Sequence, residues 1–321
     1  MKKIFLSAIG VFCVACCFSQ RLNKADEKLL QKNEDSLKIY AYNLLENINA
    51  ENRFTADSLF TRMFVRTLKT SGSFYYPFTK LESISTLYPT DSSFRIFTWQ
   101  LVVNDNLIRQ HGAIQMRTAD GSLKLFPLID KSDVTDNLTD TIANNKGWIG
   151  AVYYKLLQTA TSKQNIYTLL GYDENDLSTN RKIIEALSFV NEEPVFGGRY
   201  FSFEEDSVKG KTLNRYVMEY KKSAGARLTY DDNLNMIVFE HLESESNEPK
   251  KKYTLIPDGD YEGFKWKNNK WIHVEKVFNQ ITPEGQEPLP SPVKDAQGKT
   301  DEGRLKDNYT GKPTNKNKVD D

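Results

Sequence analysis

The chain has 321 residues, of which 39% are hydrophobic and 12% aromatic, a composition typical of a globular protein rather than a disordered one. Its 43 basic residues balance its 43 acidic residues, so no global charge favours binding to nucleic acid or to an anionic membrane. We therefore expect a packed core and no nucleic-acid partner.

The first 20 residues contain the three parts of a secretory signal peptide. Lys2 and Lys3 supply the positive start, residues 4–18 form an apolar run, and Ser19 is a small residue before the polar Arg21. The run is about 15 residues long, shorter than the ~20 that a transmembrane helix needs. We predict a signal peptide at 1–19, cleavage after Ser19, a periplasmic or extracellular protein, and no transmembrane segment in the mature chain.

The cysteines leave one alternative open. Residues 14–17 loosely resemble a lipobox, so Cys16 or Cys17 could instead carry a lipid anchor. Cys13, Cys16 and Cys17 are the only cysteines of the sequence. A mature chain that begins at Gln20 therefore has no disulfide, no thiolate metal ligand and no cysteine nucleophile.

The beginning of the mature chain has the period of amphipathic helices. Residues 24–49 and 57–70 carry apolar side chains at three- and four-residue steps, and Asp57 is a reasonable N-cap for the second stretch. We predict a helical N-terminal segment of two helices at 20–73.

The character of the sequence changes after Gly72. Short runs rich in β-branched and aromatic residues alternate with turn clusters, which is typical of antiparallel strands. One run, 182–189, fits helix and strand equally, and its neighbours favour strand. The predicted strands cover 94–101, 108–116, 123–128, 148–157, 166–172, 196–203, 215–220, 236–242 and 261–277.

These patterns predict an α+β protein. The two helices are followed by an antiparallel β-rich domain at 74–281, built as a sandwich, a barrel or a propeller-like array. Residues 282–321 are rich in proline and charge and contain few large apolar residues, so we predict a flexible, disordered tail there.

Part of the β-rich region resembles an uncharacterised family of exported bacterial proteins. The resemblance covers 74–271 and implies export and a single β-rich body, but it implies no reaction, ligand or catalytic residue. It depends on FYYPF at 74–78, FRIFTW at 94–99, YTLLGYD at 167–173, PVFG at 194–197, NMIVFEHL at 235–242 and GDYEGF at 259–264.

Two acidic segments are candidate calcium sites. Asp258, Asp260 and Glu262 precede Gly263 as in the start of an EF-hand loop, but Asn269 stands where a bidentate Glu is needed. Asp173, Asn175 and Asp176 form another acidic turn. Turns that use Asp and Gly for backbone reasons are the alternative for both segments. His273 is a further candidate metal ligand, since Glu275 could share its face of a strand. No other cofactor is expected.

Catalytic signatures are less definite. The sequence has no G-x-S-x-G elbow and no phosphate-binding glycine loop, while a triad built on His111, His241 or His273 stays open. Paired carboxylates beside aromatic platforms would suit glycoside hydrolysis, but the 43 acidic residues single out no pair, and Trp99, Trp148, Trp266 and Trp271 equally suit a core.

Two functional hypotheses follow. The first is a non-catalytic binding or structural protein of the cell envelope whose partner is an envelope protein or a glycan. The second is an exported hydrolase, acting on glycans, with carboxylates on loops of the β-rich domain. The sequence does not decide whether the protein is an enzyme.

Overall fold

A computed structural model of the chain describes residues 22–104 and 107–278. The predicted signal peptide at 1–19 and the predicted flexible tail at 282–321 lie outside these residues and stay predictions. Within the described ranges, no helix has both the length and the apolar character that crossing a membrane requires.

Two helices precede the sheets, as predicted. Helix α1 spans Lys24–Glu46 and is capped by Asn23, and helix α2 spans Ala50–Leu68 and is capped by Asn49. The prediction that Asp57 caps the second helix is wrong, because Asp57 lies buried within α2. The first two turns of α2 are largely exposed, so they lack the apolar period on which that prediction depended.

The remaining described chain is built mainly of strands, which confirms the α+β class. The strands are β1 (Ser85–Leu87), β2 (Phe94–Asn104), β3 (Leu107–Met116), β4 (Lys124–Ile129), β5 (Ala143–Asn144), β6 (Val152–Ala160), β7 (Asn165–Asp173), β8 (Thr179–Val190), β9 (Glu193–Phe196), β10 (Phe201–Ser202), β11 (Arg215–Lys221), β12 (Leu228–Asp231), β13 (Met236–Ser244), β14 (Leu255–Lys267) and β15 (Lys270–Val274).

Several strand predictions need correction. The ambiguous segment 182–189 is a strand within β8, as its neighbours favoured. The predicted strand at 196–203 is divided between β9 and β10, because Gly197 and Gly198 turn the chain with positive φ angles. The run at 261–277 contains the turn between β14 and β15, and Trp148 precedes β6. Strands β1, β5 and β12 are too short to give a sequence pattern.

The strands form three sheets. The first has the order β1-β2-β3-β4, and the third has the order β10-β15-β14-β13-β12. The second has the order β5-β9-β8-β7-β6, with β11 paired to the first half of β8 while β9 pairs with the second half. All pairings between these strands are antiparallel except that of β10 with β15.

Alternation along the inner strands explains how the sheets stack. Neighbouring residues of a strand point to opposite faces, and in β7 Leu169 is buried against the first sheet while Leu170 is buried against the third. In β2, Ile96 packs toward the second sheet and Phe97 toward the helices. The layers are therefore helices, first sheet, second sheet and third sheet. Of the three β architectures left open by the sequence, the stacked sheets of a sandwich describe this protein.

Two arginines are fully buried. Arg95 has no carboxylate partner among the described residues. Its guanidinium donates to Gln115 Oε1 at 2.9 Å and to the carbonyl of Tyr76 at 2.6 Å, and it lies 4.7 Å from the centre of the Phe97 ring. Arg215 of β11 is ion-paired with Glu185 of β8, and both side chains are fully buried.

Candidate functional site

The acidic turn after β7 is held by hydrogen bonds from the protein's own donors. Asp173 is buried and accepts hydrogen bonds from Gln110 Nε2 at 2.9 Å and from the amide of Asn175 at 3.1 Å. Asp176 Oδ1 accepts from the amide of Thr179 at 2.9 Å. Because the protein's own donors occupy these oxygens, the three residues stabilise a turn. Asn175 adopts a positive φ of 52°, which a turn asparagine tolerates.

The EF-hand-like segment is neither a loop nor a hairpin turn. Residues 258–260 form a bulge inside β14, because Tyr261 pairs with Glu240 and Pro257 pairs with Leu242, leaving three residues opposite His241. The exposed Asp260 lies 3.3 Å from Lys276 Nζ. The bulge directs Asp258 toward His241, whose Nδ1 lies 2.7 Å from Asp258 Oδ2.

Three of the predicted metal-ligand candidates lie in one row of alternating carboxylates and imidazoles. In spatial order the row contains Asp206, His273, Glu262, His241 and Asp258. His273 Nδ1 lies 3.0 Å from Asp206, and His273 Nε2 lies 3.4 Å from Glu262. Glu262 is also 3.8 Å from His241 Nε2. Glu275, expected beside His273, instead accepts a hydrogen bond from the Ser207 hydroxyl at 2.6 Å.

At the buried end of this row, the surroundings of His273 favour its protonated form. Burial alone would lower the pKa of His273, but the neighbouring Glu262 and Asp206 carboxylates outweigh it and raise that pKa. The ring also lies 4.6 Å from that of Phe203 and 5.2 Å from that of Phe264. Across 22–104 and 107–278, no three His, Cys, Asp or Glu residues are placed to hold a metal ion. The row is suited to ion pairing.

A second carboxylate–imidazole pair lies where α2 meets the first sheet. Asp57 accepts a hydrogen bond from Trp99 Nε1 at 3.1 Å and lies 3.2 Å from His111 Nδ1. His111 and Thr61 line a pocket of about 310 Å³. The Thr61 hydroxyl is buried and has no hydrogen-bond partner in the described part of the chain. A carboxylate that holds one imidazole nitrogen leaves the other available as a base.

Three of the four tryptophans are core residues. Trp99, Trp148 and Trp271 are buried in the three cores, and Trp266 lies against Trp271 with ring centres 5.3 Å apart. Their bulk fills the spaces between layers, as expected for large aromatic residues in a core.

A groove opens at one end of the interface between the second and third sheets. Cross-strand partners share a face of the sheet. Toward the start of β8, the face of the second sheet that is turned to the third sheet carries three rows of partners. These rows are Ile184 with Leu170 and Tyr216, Lys182 with Tyr172 and Met218, and Asn180 with Tyr220. The first row packs against the third sheet, and so do Met218 and Tyr220 of the next two rows. Beside Lys182 and Asn180 a volume of about 590 Å³ opens to the surface. We call this volume the sheet groove, lined by Tyr172, Asn180, Lys182, Tyr220, Arg227 and Glu240.

Lys182 is the central charge of the sheet groove. Its Nζ lies 4.8 Å from the ring centre of Tyr172 and 5.0 Å from that of Tyr154, so the ammonium group lies between two aromatic faces. Tyr154 is the extra residue of a bulge between Tyr153 and Lys155. Burial lowers the pKa of Lys182. No described carboxylate forms an ion pair with it.

Asn180 adds an unsatisfied acceptor. The side chain is 8% exposed, and its Nδ2 donates to the carbonyl of Lys222 at 3.2 Å. Its Oδ1 is buried and has no partner within the described residues. Such a group costs free energy unless a ligand or a water molecule satisfies it.

None of these groove residues is prominent in the sequence. The signal that could have found them is the alternation in β8, where polar Asn180 and Lys182 precede Ile184 on one face. Asn180 and Lys182 stand before the apolar Ile184 and Ala186 on this face, so the polar end of the strand marks the groove. Three further groove residues, Tyr220, Arg227 and Glu240, come from segments distant in sequence. Only the pairing of the strands places them beside Lys182.

Comparisons with known proteins return no match to a protein-family model, to a curated protein or to a solved structure. The resemblance to an exported bacterial family stays a prediction.

Proposed function

We propose that this is an exported, non-catalytic binding protein of the cell envelope whose binding surface is the sheet groove. The observation that carries the proposal is Lys182, a partly buried ammonium group held between two tyrosine rings without a carboxylate partner among the described residues. Binding sites typically combine aromatic walls with a few polar groups that are fixed by the fold. The volume of about 590 Å³ falls within the range of such sites.

The groove is rigidly supported. Its floor is β-sheet, since Tyr172, Asn180, Lys182 and Tyr220 lie on three adjacent strands. The Tyr154 hydroxyl donates to the carbonyl of Leu228 at 2.9 Å and thereby holds β6 to β12 across one edge. A surface formed in advance limits the entropy lost on binding.

A titration of the mature chain, residues 20–321, with neutral and acidic oligosaccharides from envelope glycans tests this proposal by calorimetry. We expect at least one binder, an affinity at least tenfold lower in Lys182→Met, and recovery of the ligand intact by mass spectrometry. The matched control is Lys250→Met, which removes an exposed lysine from a turn outside the groove. Undiminished binding by the Lys182→Met variant would contradict the proposal.

The hydrolase hypothesis has one specific observation in its favour, the Asp57–His111 pair beside its pocket. In that role His111 Nε2 would take a proton from an attacking water molecule while Asp57 orients the ring. Cleavage of an oligosaccharide by the native protein, abolished in His111→Ala, would favour the hydrolase over the binding protein.

A further inference from the structure

We infer that the sheet groove binds a saccharide residue bearing a carboxylate, such as a uronic acid. This inference rests on the proposed binding function and names the ligand class of the same site. It is argued from three groups in the groove: the Lys182 ammonium, the Asn180 carbonyl oxygen and the tyrosine rings.

The first group favours an anion. Lys182 has three N–H donors, and no described side chain or carbonyl accepts from them. The nearby Lys222 differs, since Glu174 lies 3.2 Å from its Nζ. The Arg227 guanidinium on the rim also lacks an ion pair within the described chain. A carboxylate between Lys182 and Arg227 would complete both with charge-assisted hydrogen bonds.

The second group requires a hydrogen-bond donor. Asn180 Oδ1 is buried in the wall of the groove without a partner among the described residues, and its amide orientation is fixed because Nδ2 donates to Lys222. A carboxylate carries no donor when ionised, so a ligand that also satisfies Asn180 must present a hydroxyl or N–H group beside its anion. Glu240 is already engaged, because its Oε2 accepts from the Arg227 amide at 2.6 Å.

The third group favours a ring with C–H bonds on its face. Tyr172 lines the groove and Tyr154 is 39% exposed, so each retains ring surface outside its contact with Lys182 that a ligand can cover. The negative face of an aromatic ring attracts polarised C–H groups. A uronic acid combines such a face with hydroxyl donors and one carboxylate, whereas neither inorganic phosphate nor an acidic peptide of glutamates has a sugar ring face.

The test compares four probes by calorimetry in EDTA with the mature chain: oligogalacturonate, its methyl ester, inorganic phosphate and a tetraglutamate peptide. We expect oligogalacturonate to bind, its methyl ester to bind at least tenfold more weakly, and neither phosphate nor the peptide to compete. Charge-assisted hydrogen bonds of this kind justify a loss of about tenfold or more. Affinity should fall as sodium chloride rises, because the ion pair is partly exposed.

Variants separate the contributions of the groups. Lys182→Met should weaken oligogalacturonate binding at least tenfold, Lys182→Arg should retain most of it, and Asn180→Leu should weaken it while leaving the selectivity for the acid over the ester. Lys250→Met is the control for lost surface charge. Circular dichroism and the melting temperature establish that each variant is folded.

Other outcomes overturn the inference in distinguishable ways. Equal binding of acid and ester at a site that depends on Lys182 would refute the acidic-sugar class and leave the binding function standing. Competition by phosphate or tighter binding of the peptide would assign the groove to a general anion or to a protein partner. If no neutral or acidic saccharide bound, the proposed function would fail as well.

Discussion

His273 shows how a single residue changes the pH dependence of the protein. It is buried between Asp206 and Glu262, and its pKa is raised because these carboxylates outweigh the effect of burial. A raised folded-state pKa means that protonation stabilises the fold. That contribution is complete below the unfolded pKa of about 6.5 and is lost as the pH rises through the folded-state value.

We therefore expect His273→Gln to destabilise the protein more at pH 5.5 than at pH 9, by about 1–3 kcal/mol at the lower pH. Urea unfolding at both pH values measures the difference. His241→Gln, which removes the imidazole with 42% side-chain exposure, should have a smaller effect. A destabilisation by His273→Gln that is independent of pH would contradict the assigned ion pairs.

At the scale of the element, β8 is tied to β11 by a buried ion pair. Glu185 accepts from Arg215 Nε at 2.5 Å and from the Tyr153 hydroxyl at 2.5 Å, and the Arg215 side chain is fully buried. Removing one member of such a pair leaves a buried charge uncompensated, at a cost of about 3–5 kcal/mol.

Glu185→Leu should therefore lower the free energy of unfolding by about 3–5 kcal/mol, as measured by chemical denaturation. The double variant Glu185→Leu with Arg215→Met removes both charges and should recover a large part of the loss. Equal stability of the single and double variants would show that the buried arginine carries no penalty of its own.

The elements also show what sequence patterns can and cannot predict. Alternating and helical periods report burial, so they identified α1, the centre of α2 and the long strands. They missed the exposed start of α2, where only the Asn49 cap marks the boundary. These patterns did not predict that Asp258 and Glu262 lie in one row with His273. The bulge that brings Asp258 to His241 depends on strand register. Register is a property of paired strands.

For the whole molecule, the second sheet is the common layer of two cores. Leu169 and Leu170 are both fully buried, one on each face of β7. Leu169→Ala and Leu170→Ala should each cost about 2–5 kcal/mol. Because one sheet contributes to both cores, each variant should lower the midpoint of a single cooperative unfolding transition, followed by circular dichroism. Two separate transitions would mean that the layers unfold independently.

The same layering locates the proposed function. The helices cover the first sheet, the first sheet covers one face of the second, and the third sheet covers most of the other face. The uncovered end of that last face is the sheet groove, where the polar residues Asn180 and Lys182 replace the apolar residues of the core. Packing that ends at a charged, aromatic edge would account for both the core and the proposed binding surface.

The most direct test of this account is amide chemical-shift mapping by NMR of the mature chain during titration with oligogalacturonate. The account predicts that the largest shifts fall on Tyr172, Asn180, Lys182 and Tyr220 and are lost in Lys182→Met. Shifts concentrated around His111 and Asp57, or persisting unchanged in the variant, would contradict the assignment of the sheet groove as the binding surface.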